Sequence, residues 1–524
     1  MSSRIVDTSC AVTPPAAVAL VVLDGRDTGV DDVVRLADGT ARPVPGTEAM
    51  KRAEESWCAA RRIAATGRVY GRSTGVGANR DEDVPTEAAA GHGLRLLRSH
   101  AGAIGEELPA RQVRAMLAVR ANQLLAGGAG LRPTVVTALC EALESGAYPV
   151  VNEFGSVGTG DIAALAQVGL ALAGEHPWKG PDGSAAPGRE GPGTRSGRGP
   201  APGPLALDNN DALALISSNA LTVGQSALAL HELRGLIGAT QVVAALSLLA
   251  VDGSHEAYAA PVHAARPHRG SIEVARRMRE LIGAADRPTP PLGRIQDPYG
   301  FRCLPQIHGP AHDAADALEE VLSVEINAAA ENPLISPEDM AAYHHGGFYQ
   351  AQLALALDHF RLAVTQVARL STSRLSTLNE PAYTRLRPFL ADQEPASSGV
   401  MILEYAAGAA LGDLRAFSAP ASLGHAVLSR GVEEQASFAS LAARQTLRAC
   451  GAFRLVVGCE LVAAVRALRQ RDLRPDPKLL AGRALELAEA ALEAEQADRP
   501  LTDDVTAAAA LLDRFTDIWR GSTS

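Results

Sequence analysis

Four short stretches of the 524-residue chain gather the side chains that could do chemistry. In "GSVGTGDIAALAQ" (155–167), three glycines, Ser156 and Thr159 precede an apolar, alanine- and leucine-rich run. Consecutive glycine amides at a helix N-terminus favour negative charge, so the stretch reads either as an anion nest or as a structural turn with Thr159 as the N-cap. It lacks the lysine of a P-loop and the strand context of a GxGxxG site, which makes nucleotide binding a poor reading. "VYGRSTGVG" (69–77) sets Tyr70 beside a glycine-rich loop. "QDPYGFRCLPQIHG" (296–309) concentrates Asp, Tyr, Arg and His in an irregular segment between helical patterns, and "LLRSHAGAIGEELP" (96–109) places His100 just before a turn. A lone tyrosine usually packs and a lone arginine is usually solvated. Several loops, each carrying a polar group that is expensive to bury, are better explained by one shared pocket.

The elements that must position these loops are mostly helical. Aromatic residues are only 4% of the chain while 47% is hydrophobic, so the core is expected to consist of helices packed through small and aliphatic side chains. Length alone would suggest two to four domains. Residues 17–45 alternate β-branched runs with Gly and Asp turns, which predicts one or two small strands; from about Glu48 the pattern turns helical. Residues 211–251 read as one long helical stretch, with Ser217–Ser218–Asn219 as a polar interruption that is either satisfied within the helix or part of a site. Further helices are predicted over 310–332, 350–374, 399–417 and 435–468, followed by a charged C-terminal pair. Residues 176–204 hold eight glycines and seven prolines in 29 positions, the composition of a flexible surface insertion. The expected fold class is mainly α: a long-helix bundle with a smaller mixed N-terminal part. It divides into a part carrying catalytic loops (1–225), a central bundle (226–470) and C-terminal helices (471–524).

A net charge of -10 argues against nucleic acid or an anionic membrane as a partner. The six cysteines are scattered without a CxxC pair, so no zinc site or disulfide framework is expected and a reducing, cytoplasmic setting is the natural reading. The apolar piece "AVTPPAAVALVVL" carries two prolines and acidic flanks that spoil it as a signal sequence. No unbroken apolar run is long enough to predict a membrane span.

Taken together, the stretches resemble the histidine and phenylalanine ammonia-lyase family along most of the chain. The family's YGxNTGFG, GSVGASGDLAPLAH, QDxYSxRCxPQ and QEDHVS segments correspond, in the same order, to "YGRSTGVG", "GSVGTGDIAALAQ", "QDPYGFRCLPQ" and "VEEQAS". The resemblance implies an α-rich homotetramer with active sites shared between subunits. It also implies that Tyr70 is the base for the β-proton, that Arg302 pairs with the substrate carboxylate, and that Tyr299 is the second tyrosine near the leaving group. His100 and Glu433 match positions that hold the imidazole ring in the histidine enzymes. Tyr349, Gly347 and Gln435 depart from the family's pattern.

One departure concerns the reaction itself. In the family, Ala-Ser-Gly cyclises and dehydrates to an electrophilic methylideneimidazolone. Here Gly158–Thr159–Gly160 is one residue short and has no serine, and Ser217 in "LALISSN" replaces the asparagine that accompanies the electrophile. The expectation is therefore an enzyme without that group or any other cofactor. A free α-amino group needs such activation; a quaternary nitrogen does not, because it departs as a neutral tertiary amine. An ergothionase-like elimination of trimethylamine from ergothioneine fits the retained tyrosine and arginine. The alternatives are a histidine or other aromatic amino acid ammonia-lyase or aminomutase with a threonine-derived ring, and an inactive paralogue serving as a binding or assembly subunit.

Overall fold

The computed structural model describes residues 18–186, 201–289 and 293–521. The first of these segments opens with a parallel pair of strands, Ala19–Leu23 and Ala41–Pro45, joined by a helix, Val30–Asp38. Two strands lie where strands were predicted; the helix between them was not. Its apolar residues Val30, Val33, Val34 and Ala37 fall on one buried face, a helical spacing that outweighs the strand preference of valine.

The bulk of the molecule is a bundle of long helices: Ala220–Ala250, Leu304–Glu325, Ala351–Leu378, Ile402–Phe417, Ala439–Gln470 and Thr502–Arg520. The first is buried around its whole circumference. The stretch Asn209–Ala250 is long and apolar enough to cross a membrane by length and composition, yet 89% of its most apolar window is buried inside the protein. A helix apolar on every side is what the middle of a large core requires. One hydrophobic core runs from Val21 to Ile518, and the expected boundary at 225 falls inside the Ala220–Ala250 helix, so the parts are not separate cores.

The polar interruption at 217–219 breaks the chain into two helices, Asn209–Ile216 and Ala220–Ala250, instead of lying within one. The freed backbone groups are satisfied from outside: Arg120 donates to the Ala214 and Leu215 carbonyls, and the Ser218 carbonyl accepts the Asp161 amide at 2.7 Å. Ser218 Oγ donates to Gln123 Oε1 at 2.6 Å, and Arg120 is itself paired with buried Glu331 at 2.7 Å. An arginine buried in this way is tolerated because each of its charged ends meets an acceptor.

The insertion at 176–204 is structured at both ends. Trp178–Lys179 pairs with Tyr148–Pro149 and Ala185–Ala186 in a small antiparallel sheet, and buried Trp178 donates its Nε1–H to Ala171. Ala201 and Pro202 are buried again, and the Leu205 amide reaches the Leu172 carbonyl at 2.7 Å. A tryptophan anchor and strand partners thirty residues upstream outweigh the Gly/Pro composition here. Residues 187–200 lie outside the described residues.

Candidate active site

Several segments far apart in sequence converge on a cavity of about 840 Å³. Tyr70, Thr159, Gly160, Ser217 and Glu433 all line it, so the structure brings together five of the residues expected to form a site. The Tyr70 hydroxyl accepts the Gly77 amide at 2.7 Å. Gly77 has φ +56, and a Cβ there would sit 2.5 Å from Ser429 Oγ, so only glycine lets the tyrosine loop lie against the 429–437 loop. Ser429 Oγ in turn accepts the Ala78 amide at 3.0 Å.

The same late loop grips the glycine turn. Ser437 Oγ donates to the Gly158 carbonyl at 2.7 Å, the Phe438 amide to the Val157 carbonyl at 2.8 Å, and Ser440 Oγ to the Ser156 carbonyl at 2.9 Å. On its far side, buried Asp161 accepts the Thr222 amide at 2.7 Å and the Thr222 hydroxyl at 2.9 Å. Asp161, not Thr159, is the N-cap residue of the helix Ile162–Leu172, which corrects the turn reading. Thr159 is left facing the cavity.

The turn does not fit the methylideneimidazolone as the family builds it. Gly158 has φ +90, and a Cβ built there would collide with Ser437 Oγ and lie 2.8 Å from the Phe438 and Ala439 amide nitrogens. An alanine has no room at that point. Ser217, where the family's asparagine stands, spends its hydroxyl on the Asn332 amide at 2.9 Å.

Electrostatics at Tyr70 work against the ionised phenol. A phenol acting as a base is helped by anything that lowers its pKa. Burial instead raises the phenol above its ordinary value of 10, the Gly77 amide offsets this in part, Glu433 pushes it further up and Arg80 pulls it down.

Besides Gly158, which the late loop covers, three expected residues do not line this cavity within the chain. His100 ends the helix Thr86–His100, with Nδ1 against the Leu96 carbonyl and Ser99 Oγ, both at 2.9 Å. Tyr299 and Arg302 share a four-residue helix in which the guanidinium stacks over the Tyr299 ring at 4.4 Å. Arg302 Nε is buried without a partner, and Tyr299 is 66% exposed. That turn is firmly held: Tyr258 donates to the Phe301 carbonyl at 2.9 Å, and Arg374 to the Gly300 carbonyl at 3.3 Å. Arg374 is fully buried against Glu460, whose carboxylate also accepts Ser247 and Ser371.

The cavity has lining residues that sequence reasoning missed: Arg80, Asn332, His344, Phe348 and Glu434. Tyr349, noted only as a departure, joins them. The adjacent His344–His345 pair before two glycines was the available signal. Among the described residues no cluster of His, Cys, Asp and Glu could hold a metal ion.

Comparison with known proteins places this architecture. Residues 28–494 match the aromatic amino acid lyase family, and the chain belongs to it. It is 34% identical to the histidine ammonia-lyase of Geobacillus kaustophilus over 501 residues, covering 94% of this chain and 97% of that one. The histidine ammonia-lyase of Anaeromyxobacter dehalogenans is 32% identical, with 94% and 98% covered. Among solved structures, histidine ammonia-lyase from Trypanosoma cruzi superposes with a TM-score of 0.85 at 26% identity, covering 96% of this chain and 94% of that one. Ergothionase from Treponema denticola, in complex with desmethyl-ergothioneine sulfonic acid, superposes with a TM-score of 0.86 at 24% identity, covering 95% and 99%. At that identity the likeness to ergothionase is one of fold. The mainly α, long-helix architecture is that of these neighbours, and the chemistry at family level is carbon–nitrogen lyase chemistry.

Proposed function

We propose that this chain eliminates a tertiary amine from an imidazole-bearing α-amino acid betaine, converting ergothioneine to thiolurocanate and trimethylamine without a methylideneimidazolone. The observation that carries the reading is the turn at Gly158–Thr159–Gly160, too tight for the family's triad, beside a retained Tyr70 and Glu433. Tyr70 takes the β-proton, the C–H electron pair becomes the Cα–Cβ double bond, and the Cα–N pair leaves with the neutral amine. Nothing need activate that leaving group.

The lining suits a permanent cation. The rings of Tyr70, Phe348 and Tyr349 and the carboxylates of Glu433 and Glu434 share the cavity, and aromatic faces with acidic neighbours are how proteins recognise quaternary ammonium groups. A bound cation beside Tyr70 also favours its ionised form, offsetting the upward push of burial. In this reading the Arg302 clamp and Tyr299 reach the cavity from another copy of the chain in a homotetramer.

A second reading, a histidine ammonia-lyase, is favoured by the 34% identity to the Geobacillus enzyme. One experiment separates them: the purified protein is offered ergothioneine, hercynine and histidine, and its intact mass is measured. The proposal expects trimethylamine and thiolurocanate from ergothioneine, little urocanate from histidine, and an unmodified mass. Ammonia from histidine, with a mass short by two waters, would establish the second reading. No turnover of any of the three would favour a binding or assembly role.

A further inference from the structure

His344 and His345 are neighbours in sequence with opposite circumstances. His345 is a staple: its Nε2 lies 2.8 Å from the Glu331 carbonyl, its Nδ1 accepts the Gly347 amide at 2.8 Å, and its own amide donates to Asn332 Oδ1 at 3.0 Å. An Nδ1 that accepts leaves Nε2 as the protonated nitrogen, so this imidazole is fixed in one neutral tautomer and fastens its loop to the 331–332 segment. His344, one residue earlier on that fastened backbone, lines the cavity and is exposed to it. Its ring stands edge-on to Tyr70, with centroids 6.3 Å apart and planes at 87°.

We infer that His344 is the proton acceptor that generates the Tyr70 phenolate: the phenolic proton passes to the His344 imidazole, directly or through one water, and from there to solvent. The inference rests on the reading that Tyr70 abstracts the β-proton; it does not depend on which amine leaves. Before the reaction, the O–H bond of Tyr70 breaks and an N–H bond forms on His344, giving phenolate and imidazolium. The phenolate oxygen then takes the β-proton, and the imidazolium releases its proton to water. No oxidant or cofactor enters. The need for such an acceptor follows from the site, since Tyr70 is half-buried near Glu433, both of which favour the protonated phenol. The other ionisable groups facing the pair are Arg80, Tyr349, Glu433 and Glu434. Arginine is always protonated and a second phenol shares the difficulty of the first. Of the two carboxylates, Glu433 raises the phenol's pKa and so opposes phenolate formation. The His344 imidazole, whose ring meets that of Tyr70, can accept the phenolic proton and pass it on to water.

The test is the pH dependence of kcat/KM for wild type, His344→Asn and Tyr70→Phe, with both ergothioneine and histidine. Wild type should gain activity through an acid limb in the imidazole range. In His344→Asn that limb should move up by more than about 2 pH units toward the phenol range, with activity at pH 7 down about 100-fold. Added imidazole should restore part of the activity of His344→Ala. A uniform loss with an unmoved limb and no rescue would reduce His344 to packing and overturn the inference. Turnover of histidine alone would remove the betaine substrate while leaving this test intact. If neither substrate reacts, the pH dependence of carbethoxylation of His344 by diethyl pyrocarbonate decides. A midpoint that differs between wild type and Tyr70→Phe supports the pair, and an identical midpoint overturns it.

Discussion

The Tyr70 side and the Arg302 side of the proposed catalytic machinery are built by different means. Around Tyr70, three loops are tied together by backbone amides and serine hydroxyls, and the result is an open cavity. Around Arg302, a short helix is fixed by a fully buried Arg374–Glu460 pair and by Tyr258, yet it presents Tyr299 to solvent and lines no part of that cavity. The contrast teaches that rigidity and completeness are separate requirements. The chain fixes an arginine turn that, alone, has nothing to act on, which is what the proposed sharing of sites between copies would require.

The sharpest blow to the first side is Tyr70→Phe. Removing the proton-abstracting oxygen should lower kcat by about 10²–10⁴, with substrate binding changed only a few-fold; turnover near wild type in a single-turnover assay would show that Tyr70 is not the base. The corresponding blow to the second side is Glu460→Ala, which leaves Arg374 buried without its carboxylate. A loss of about 3–5 kcal/mol in a denaturant titration is expected, whereas Glu433→Gln, at the open cavity, should stay within about 0.5 kcal/mol. Comparable losses for the two variants would erase the distinction.

The arginine side should also answer to pH through stability. His308, fully buried with both ring nitrogens unpartnered, and His312 follow that turn on the Leu304–Glu325 helix. Burial holds His308 neutral well below 6.5 and lowers His312 to about 4. Below about pH 6.5 the unfolded chain therefore binds protons that the folded chain does not, and stability falls as pH falls, by about 1.4 kcal/mol per unit for each histidine. His308→Leu should flatten that slope between pH 6.5 and 5 by about one proton's worth; an unchanged slope would mean that the ring is protonated when folded. The mildest test is Arg302→Lys, expected to raise KM about tenfold because an ammonium cannot reproduce a bidentate clamp. An unchanged KM for the carboxylate substrate would remove Arg302 from binding.

Much of the scaffold was legible in the sequence, for reasons that also mark where reading stopped. The helices now seen at Ala351–Leu378, Ile402–Phe417 and Ala439–Gln470 were predicted to within a few residues at most of their ends, because apolar spacing along one helix is local information. The break at 217–219 was not legible: hydroxyls inside a helix can be satisfied by their own backbone, and what decides against it is Arg120, almost a hundred residues away. Tyr70, Ser217 and Glu433 were found through motifs. His344 was missed because its significance lies in facing Tyr70, a relation created only by the fold. The upward push on the Tyr70 phenol was not legible for the same reason, since the neighbours that bury it are brought there by the fold.

The grip of Ser437 and Phe438 on Gly158 also limits how the sequence of the turn could change. Installing Ala-Ser-Gly would require an inserted residue in the turn, retreat of the late loop to admit a methyl group, and replacement of Ser217. An alanine introduced alone at Gly158 meets the Ser437 hydroxyl and, beyond it, two backbone nitrogens that cannot swing aside. Position 158 is therefore held as glycine by the neighbouring loop that fills the space beside it.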